Sequence, residues 1–371
     1  MDRLYEWRER FLGDRVSNDF LFGAAAGCLA TIVLALLMRI VAILRRNDIY
    51  DLAHWKLNIR VPMQPMWMNM GYWRTRRGDK IQQMDQACAA LLREVLYSAD
   101  LLTGDAVAEK EEPRRRRRRS SSSSIAILDV GFGCGDQTVE IARALDAPAW
   151  QTFRYVGLTL NEAQLQVAYR RVEREVASAN RHGVRLGPES FRLFGADAAR
   201  PESWARPVRA LVDGIADEAF QGNRWLLALD CMYHFAPSRT PLLLYAAREL
   251  KADFMAFDLV LNERASFSAR MAAKLVGRVA GCPLGAFMTE DQYVEQLVDA
   301  GYDRNAVQIR DVTSDVFGGL VAHIERQQRL LKPYGISMGS MGVAKKMFNW
   351  IDNTGILRAV IVVARVKSKA A

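Results

Sequence analysis

The order of apolar and polar residues along the chain predicts an α/β protein. Short apolar runs of strand length alternate with longer segments in which apolar residues recur at helical spacing. This alternation favours a doubly wound sheet with helices on both faces. The predicted strands lie at 125–130, 155–160, within 191–198, and at 224–229, 253–262, 306–313 and 357–366. The predicted helices lie at 79–102, 138–145, 161–176, 240–250, 263–281, 288–300 and within 315–354.

A glycine-rich turn follows the first predicted strand. Asp129 lies near the end of that strand, and Gly131, Gly133 and Gly135 stand at every second position before a helix. Glycines let the backbone approach a ligand closely, and α/β sheets bind nucleotides at such turns. The spacing fits neither the G-x-G-x-x-G of dinucleotide-binding turns nor a phosphate loop ending in Gly-Lys-Ser/Thr. An acid here would repel phosphate but could hold an ammonium group; the alternative is a turn that binds nothing.

The segment from Asp129 to Gly135 resembles motif I of class I S-adenosylmethionine-dependent methyltransferases. In that family the loop packs against the amino-acid end of the cofactor. The resemblance therefore implies a site for S-adenosylmethionine (SAM), in which Asp129, Gly131, Gly133 and Gly135 bind the cofactor.

Two later segments extend the resemblance. Residues 157–164, Gly-Leu-Thr-Leu-Asn-Glu-Ala-Gln, lack the acid that commonly meets the ribose hydroxyls. They are similar instead to a variant in the group that includes cyclopropane fatty-acid synthases and tocopherol- and sterol-type methyltransferases. This resemblance implies that Thr159, Leu160 and Gln164 contact the ribose and adenine. Asp197 and Ala198 resemble the segment that meets the adenine amino group. Each segment alone could be a surface loop, but their order and spacing support one another.

Polar side chains follow the fourth predicted strand, where a parallel sheet opens toward its ligand. The run from 228 to 235 resembles an A-L-D-C-A-Y-H-F signature of small-molecule methyltransferases. His234 is the candidate base, since imidazole titrates near neutral pH, and Tyr233 could orient the substrate. Asp230 is assigned to the cofactor side. His234 could equally be structural and Tyr233 could be packing. Cyclopropane synthases carry a Glu at the position of Tyr233, so this departure favours simple methyl transfer.

An uncharged segment near the N-terminus predicts a membrane anchor. Residues 20–38 would span about 28 Å as a helix, close to the roughly 30 Å of a bilayer core. We therefore expect a leader at 1–19, a transmembrane anchor at 20–44, and a single-pass protein of an intracellular membrane such as the endoplasmic reticulum. Because the cofactor is supplied there, the catalytic domain would lie in the cytosol. Acidic residues in the leader argue against a cleaved signal peptide. The alternative is a buried core helix.

Three further segments complete the predicted organisation. Residues 45–78 would form a membrane-proximal linker. Within it, 69–73 resembles an N-x-G-Y-W motif that covers the cofactor in related methyltransferases, and this resemblance implies that Tyr72 contacts the cofactor. A hydrophobic linker packed on the domain is an equally compatible alternative. Residues 79–371 would form the methyltransferase domain, with helices between its last strands as a cap. Within it, the Arg/Ser tract at 103–124 is expected to be a disordered insertion. Contact with anionic lipid or a kinase site are its alternatives.

Charge, cysteines and histidines exclude several other classes. Arg114–Arg119 contribute six of the +9 net charges, which leaves +3 elsewhere, so no nucleic-acid partner is predicted. The five cysteines show no pairing pattern and the four histidines no metal-ligand spacing, so we predict reduced thiols and no metal. The oligomeric state stays open.

The sequence as a whole predicts a doubly wound, seven-stranded, Rossmann-like methyltransferase sheet with an N-terminal transmembrane helix and a helical cap. The expected activity is SAM-dependent methyl transfer to a small hydrophobic acceptor, lipid-like or isoprenoid-like, held at the membrane. Two alternatives remain at this point: a cyclopropane-type enzyme that modifies fatty-acyl lipids, and a non-catalytic membrane adaptor on a methyltransferase fold.

Overall fold

A computed structural model describes residues 18–46, 65–102, 124–145, 150, 152–179, 190–217 and 220–367. Its strands are β1 (Ser124–Val130), β2 (Phe153–Thr159), β3 (Phe191–Gly195), β4 (Gly222–Leu229), β5 (Asp253–Leu261), β6 (Tyr302–Asp311) and β7 (Leu357–Val366). Its helices are α1 (Asn18–Arg46), α2 (Met84–Ser98), α3 (Asp136–Ala144), α4 (Glu162–Ala179), α5 (Arg206–Asp213), α6 (Thr240–Arg248), α7 (Phe267–Val279), α8 (Glu290–Ala300), α9 (Phe317–Leu331) and α10 (Ser340–Thr354).

The described strands form one sheet in the order β3-β2-β1-β4-β5-β7-β6. Strands β1 to β5 run parallel, whereas β7 runs antiparallel to both of its neighbours. The chain order reverses between β1 and β4, because β2 and β3 lie on one side of β1 and β5 lies on the other. In open α/β sheets the ligand crevice lies at this reversal, beyond the carboxyl ends of the strands.

Helices cover both faces of the sheet because its central strands are apolar on both sides. Every residue of β1 is buried. Ile125 and Ile127 belong to a core cluster with helices α2, α3 and α4, whereas Ala126 and Leu128 belong to a second cluster with α6 and α8. The sheet therefore agrees with the seven-stranded, doubly wound prediction.

The predicted transmembrane helix is wrong. Contacts between residues divide the chain into a unit of 1–60 with 331–337, which contains α1, and a unit of 61–330 with 338–371, which contains the sheet. Among the residues that the structure describes, no helix combines the length and the apolarity that a membrane crossing requires. The anchor at 20–44 and the single-pass localisation are therefore not supported. The prediction rested on the uncharged run at 20–38, whereas the helix extends from Asn18 to Arg46 and also contains Asp19, Arg39, Arg45 and Arg46.

Two predicted helical segments differ from the structure, and a third predicted segment lies almost entirely outside the described residues. The helix predicted at 79–102 begins only at Met84, because Arg74 and Lys80 form an antiparallel bridge before it. The helical stretch predicted within 315–354 is two helices, α9 and α10. The predicted Arg/Ser insertion lies outside the described residues except for Ser124, the first residue of β1, and so do 1–17 and 47–64.

Candidate functional site

A cavity of about 610 Å³ lies beyond the carboxyl ends of β1, β2, β3 and β4. The loops that follow these four strands form its walls, and residues 66–69 close one side. The predicted site residues in its wall are Gly131, Gly133, Thr159, Leu160, Gln164, Asp197, Ala198, Asp230, Tyr233 and His234. The size falls in the range of small-molecule and cofactor sites.

The three glycines of the turn after β1 have different reasons to be glycine. All three have positive φ, which non-glycine residues adopt at a cost. A Cβ on Gly131 would lie 2.9 Å from the Cys231 Cβ, and one on Gly135 would lie 2.9 Å from the Ala168 Cα in α4. A Cβ on Gly133 would meet nothing nearer than a Met68 sulfur at 3.8 Å. Gly131 and Gly135 therefore allow Cys231 and helix α4 to pack closely against the turn, whereas Gly133 exposes its backbone to the cavity.

Asp129 lies beneath the turn, fully buried, rather than in the cavity wall. Its carboxylate accepts hydrogen bonds from the Tyr155 hydroxyl at 2.5 Å and from the Gln137 Nε2 at 2.7 and 2.8 Å. Burial raises the pKa of Asp129 to about 7, and the two hydrogen bonds oppose that rise. Asp129 thus fixes Gln137, and Gln137 itself reaches the cavity wall.

The loop after β2 brings Thr159 and Gln164 together. The Thr159 hydroxyl donates to Gln164 Oε1 at 3.2 Å, and Gln164 Nε2 lies 3.2 Å from the Met68 sulfur. Leu160 stands on the rim, with 78% of its side chain exposed. Gln164 therefore links the loop after β2 to Met68, one of the residues at 66–69 that close the cavity.

The loop after β3 holds Asp197 in a turn. Asp197 Oδ1 accepts from the Ala199 N–H at 3.0 Å, and its Oδ2 lies 3.7 Å from Arg200 Nε. The Trp204 indole donates to the Asp197 carbonyl at 2.7 Å. Ala198 is buried in the adjacent wall. The Asp197 carboxylate remains part-exposed toward the cavity.

Asp230 and Tyr233 form a hydrogen-bonded pair at the end of β4. The Tyr233 hydroxyl donates to Asp230 Oδ1 at 2.6 Å, and the backbone N–H of Met70 donates to Oδ2 at 2.7 Å. Burial raises the pKa of Asp230 to about 7, against these hydrogen bonds, and raises that of Tyr233 as well. Asp230 has a φ of 62°, a conformation that costs a non-glycine residue energy and that often marks functional sites.

His234 follows as an exposed residue of the cavity wall. Its ring lies 4.5 Å from that of Tyr233, and its Nδ1 lies 3.6 Å from the Cys282 sulfur. Although the residue is exposed at the surface, partial desolvation of the imidazole by the surrounding wall lowers the pKa of His234, so its neutral form, the form that can accept a proton, prevails at neutral pH.

Residues 65–73, the covering segment, precede the first domain helix and close one side of the cavity through 66–69. The Met66 N–H lies 3.3 Å from both carboxylate oxygens of Asp136, and the Met70 N–H reaches Asp230. Its far end is fixed by the Tyr72 N–H, which donates to the Ala87 carbonyl at 2.8 Å. Backbone donors therefore tether this segment to the first turn of α3, to the end of β4 and to α2.

Comparisons place this arrangement among known folds. No protein-family model matches the chain, and no curated protein matches its sequence. The cyclopropane synthase MmaA2 from Mycobacterium tuberculosis is 12% identical, with a TM-score of 0.51 over 81% of this chain and 90% of that one. The mycolic acid cyclopropane synthase CmaA1, complexed with SAH and CTAB, is 14% identical, with a TM-score of 0.51 over 81% and 89%. The chain has the class I methyltransferase fold.

One solved structure is similar to a lesser degree. A geranyl diphosphate methyltransferase in complex with GPP and sinefungin is 14% identical, with a TM-score of 0.48 over 80% of this chain and 88% of that one.

Ten of the thirteen predicted site residues line the cavity, but many of its other residues were not predicted. Asp129, Gly135 and Tyr72 were predicted to bind the cofactor and do not line the cavity. The Tyr72 hydroxyl turns instead to Asp315, at 3.4 Å. Gln137 lines the cavity and was not predicted. Its signal in the sequence was its place in the first turn of the helix, two residues after the last glycine.

A buried ion pair supports the wall behind Tyr233. Arg239 pairs with Asp258 in β5, and the Tyr293 hydroxyl donates to the same carboxylate at 2.9 Å. A second guanidinium nitrogen of Arg239 donates to the Ala286 carbonyl at 2.7 Å. This network ties the loop after β4 to the segment that precedes α8. Among the described residues, no group of three or more His, Cys, Asp or Glu side chains could hold a metal ion.

Proposed function

We propose that the chain is a SAM-dependent methyltransferase that transfers a methyl group to a small hydrophobic acceptor, lipid-like or isoprenoid-like. One observation carries the proposal: the glycine turn after β1 and the Asp230–Tyr233 pair after β4 face one cavity at the reversal point of a class I methyltransferase fold. Support also comes from CmaA1, a structure of the same fold complexed with SAH and CTAB.

The described residues fit the proposed cofactor. The bare backbone of Gly133 and the amide of Gln137 would receive its amino-acid end, because both face the cavity next to the first turn of α3. By the resemblance of their segments, Thr159 and Gln164 would meet the ribose and Asp197 the adenine, and their positions at successive strand ends are compatible with these roles. Bound there, SAM supplies an electrophilic methyl group.

The remaining residues would bind and orient the acceptor. Apolar side chains make up much of the cavity wall; they include Trp67, Phe132, Leu229 and Phe235. Such a wall favours a hydrophobic acceptor, because burying its apolar surface is the main source of affinity. Methyl transfer chiefly requires that the acceptor atom be held in line with the methyl carbon, a role for Tyr233 at the strand end. Neutral His234 would accept the proton of an O–H or N–H acceptor.

Calorimetry with SAM tests the cofactor half of the proposal. Wild-type protein should bind SAM, and Gly133→Val should bind it much more weakly, because a branched side chain there would fill the space above the loop. Gly78→Val serves as a control, since Gly78 also has positive φ and open space but lies away from the cavity. An absence of SAM binding by the wild type would refute the proposal.

Labelled cofactor tests the chemistry. Membrane lipid extracts incubated with enzyme and SAM bearing a CD3 group should yield a product that keeps the CD3 group intact. A cyclopropane-forming enzyme would lose one deuteron on ring closure, since a methylene rather than a methyl is retained. The geometry at Tyr233 favours methyl transfer, because a tyrosine bound to Asp230 stands where the cyclopropane-type motif has a Glu.

A further inference from the structure

Helix α7 exposes a continuous apolar stripe. Phe267, Met271, Leu275 and Val279 recur at every fourth position, with 74%, 40%, 58% and 91% of their surface exposed. Residues four apart lie on the same side of a helix, so the stripe runs the whole length of α7, about 18 Å. Exposed apolar patches of this kind mark interaction sites on proteins.

The same helix carries uncompensated positive charge. Between Glu263 and Glu290 the chain contains no acidic residue and four basic ones, Arg264, Arg270, Lys274 and Arg278. None of the four forms an ion pair with a described carboxylate. Three of them stand one position before a member of the apolar stripe, so the charges border it along one edge.

The fold does not need this face for its own packing. The opposite side of α7 rests on the domain through Ala273 and Gly277, where a Cβ on Gly277 would lie 2.3 Å from the Phe287 ring. The Ser266 side chain caps the helix by accepting from the Ala269 N–H at 3.3 Å. Small residues and a cap therefore hold the helix, while its large apolar side chains point outward.

The packed side of α7 faces the candidate site. The turn that ends α7 places Cys282 against the His234 ring, and Phe287, which packs under Gly277, lies 6.2 Å from the Tyr233 ring. The helix that carries the stripe therefore packs on residues next to the cavity wall.

We propose that the outer face of α7 docks on an anionic lipid surface. A convex apolar stripe bordered by basic residues suits a flat interface, where apolar side chains enter the acyl boundary and lysines and arginines meet phosphate headgroups. The proposed contact is made at the surface and requires no helix to cross the bilayer. This inference goes beyond the proposed function, and its test contains no SAM and does not measure methyl transfer, so either can fail alone.

Hydrogen–deuterium exchange on the full chain tests the docking locally. The probes are vesicles of phosphatidylcholine alone and of phosphatidylcholine with phosphatidylglycerol. We expect protection of the 267–281 amides with the anionic vesicles, weaker protection with the neutral ones, and a decrease at high salt. Helix α4 serves as an internal reference, because it exposes Arg170 and Tyr169 without an apolar stripe. Equal exchange in 267–281 with and without anionic vesicles would overturn the proposal.

Two variants separate the apolar and the charged contributions. Leu275→Glu/Val279→Glu should lower the protection of 267–281 at least about tenfold, because two apolar side chains would no longer move from water into the acyl boundary of the membrane. Arg270→Glu/Lys274→Glu/Arg278→Glu should abolish the preference for anionic vesicles, whereas the matched Arg170→Glu/Arg174→Glu in α4 should not. Unchanged thermal unfolding establishes that the variants fold. Protection of 267–281 by an acidic amphipathic peptide but by neither vesicle would overturn the lipid proposal in favour of a protein partner.

Discussion

The Oδ2 atom of Asp230 lies 2.7 Å from the backbone nitrogen of Met70, which precedes it by 160 residues. This hydrogen bond joins the end of β4 to the covering segment. The other carboxylate oxygen accepts from Tyr233 in the same loop. One half-buried carboxylate therefore binds the covering segment and orients a residue of the cavity wall.

Replacing Asp230 should loosen the covering segment. Asp230→Ala removes the acceptor of the Met70 N–H, so the 65–73 amides should exchange with deuterium about tenfold faster or more, as expected when a charge-assisted hydrogen bond is lost. Asp197→Ala is the matched control, because Asp197 lines the same cavity but has no described hydrogen bond to the covering segment. Equal exchange in the two variants would show that other contacts hold the cover.

The sequence predicted the cavity where local rules apply. The turn at 131–135 and the polar residues at 230–234 follow apolar strands, and parallel strands bring their carboxyl ends to one edge. It could not predict the tethers of Met66 and Met70, since these join backbone groups to carboxylates far along the chain. Tyr72 was misplaced for the same reason: the choice between the cavity and Asp315 is a matter of tertiary packing.

Alanine at two of the glycines should separate stability from binding. Gly133→Ala and Gly135→Ala both place a side chain at positive φ, a strain of about 1–2 kcal/mol each. Gly135→Ala also drives a Cβ into Ala168 and should lose a further 1–3 kcal/mol or so of unfolding free energy. Gly133→Ala should instead weaken SAM binding. Denaturant unfolding and calorimetry measure the two effects; equal unfolding free energies would contradict the packing role of Gly135.

The buried carboxyl of Asp129 should make stability depend on pH. Its pKa of about 7 in the fold exceeds the ordinary value of 3.8, so the native state holds the proton more tightly. The contribution of protonated Asp129 to the free energy of unfolding is therefore fully present below about pH 4 and is lost as the pH rises through 7. The change is on the order of 4 kcal/mol at most. Asp129→Asn should reduce the loss of unfolding free energy with rising pH. The reduction should be only partial, because Asp230, whose pKa is also raised to about 7, still titrates in the same range. Urea unfolding between pH 4 and 8 compares the slopes, and identical slopes would argue against a protonated Asp129.

Breaking the Arg239–Asp258 pair from one side should be costly. Arg239→Met leaves a fully buried carboxylate without its cation and should lose about 3–5 kcal/mol of unfolding free energy. The double variant Arg239→Met/Asp258→Leu should recover part of that loss, since no unpaired charge remains. A double variant no more stable than Arg239→Met would show that the loss arises from packing rather than from charge.

The proposed base should shape the pH profile of methyl transfer. Partial desolvation lowers the pKa of His234, so the acid limb of the rate should lie below the ordinary histidine value of about 6.5. His234→Gln should remove that acid limb and lower the rate about 10²-fold or more. Rates are measured with the acceptor found by CD3 labelling. A limb that persists in the variant would assign the base elsewhere.

The covering segment has a consequence for how the protein can evolve. Its tethers at Met66 and Met70 are made by the main chain, and each ends on a carboxylate of the domain. Any residue except proline supplies the same N–H, so the side chains at 66–68 can change without breaking these two hydrogen bonds, whereas Asn69 and Met70 are buried. Acceptor preference could therefore change through substitutions at 66–68, whereas Asp136 and Asp230 would have to be retained, because their carboxylates accept the two hydrogen bonds.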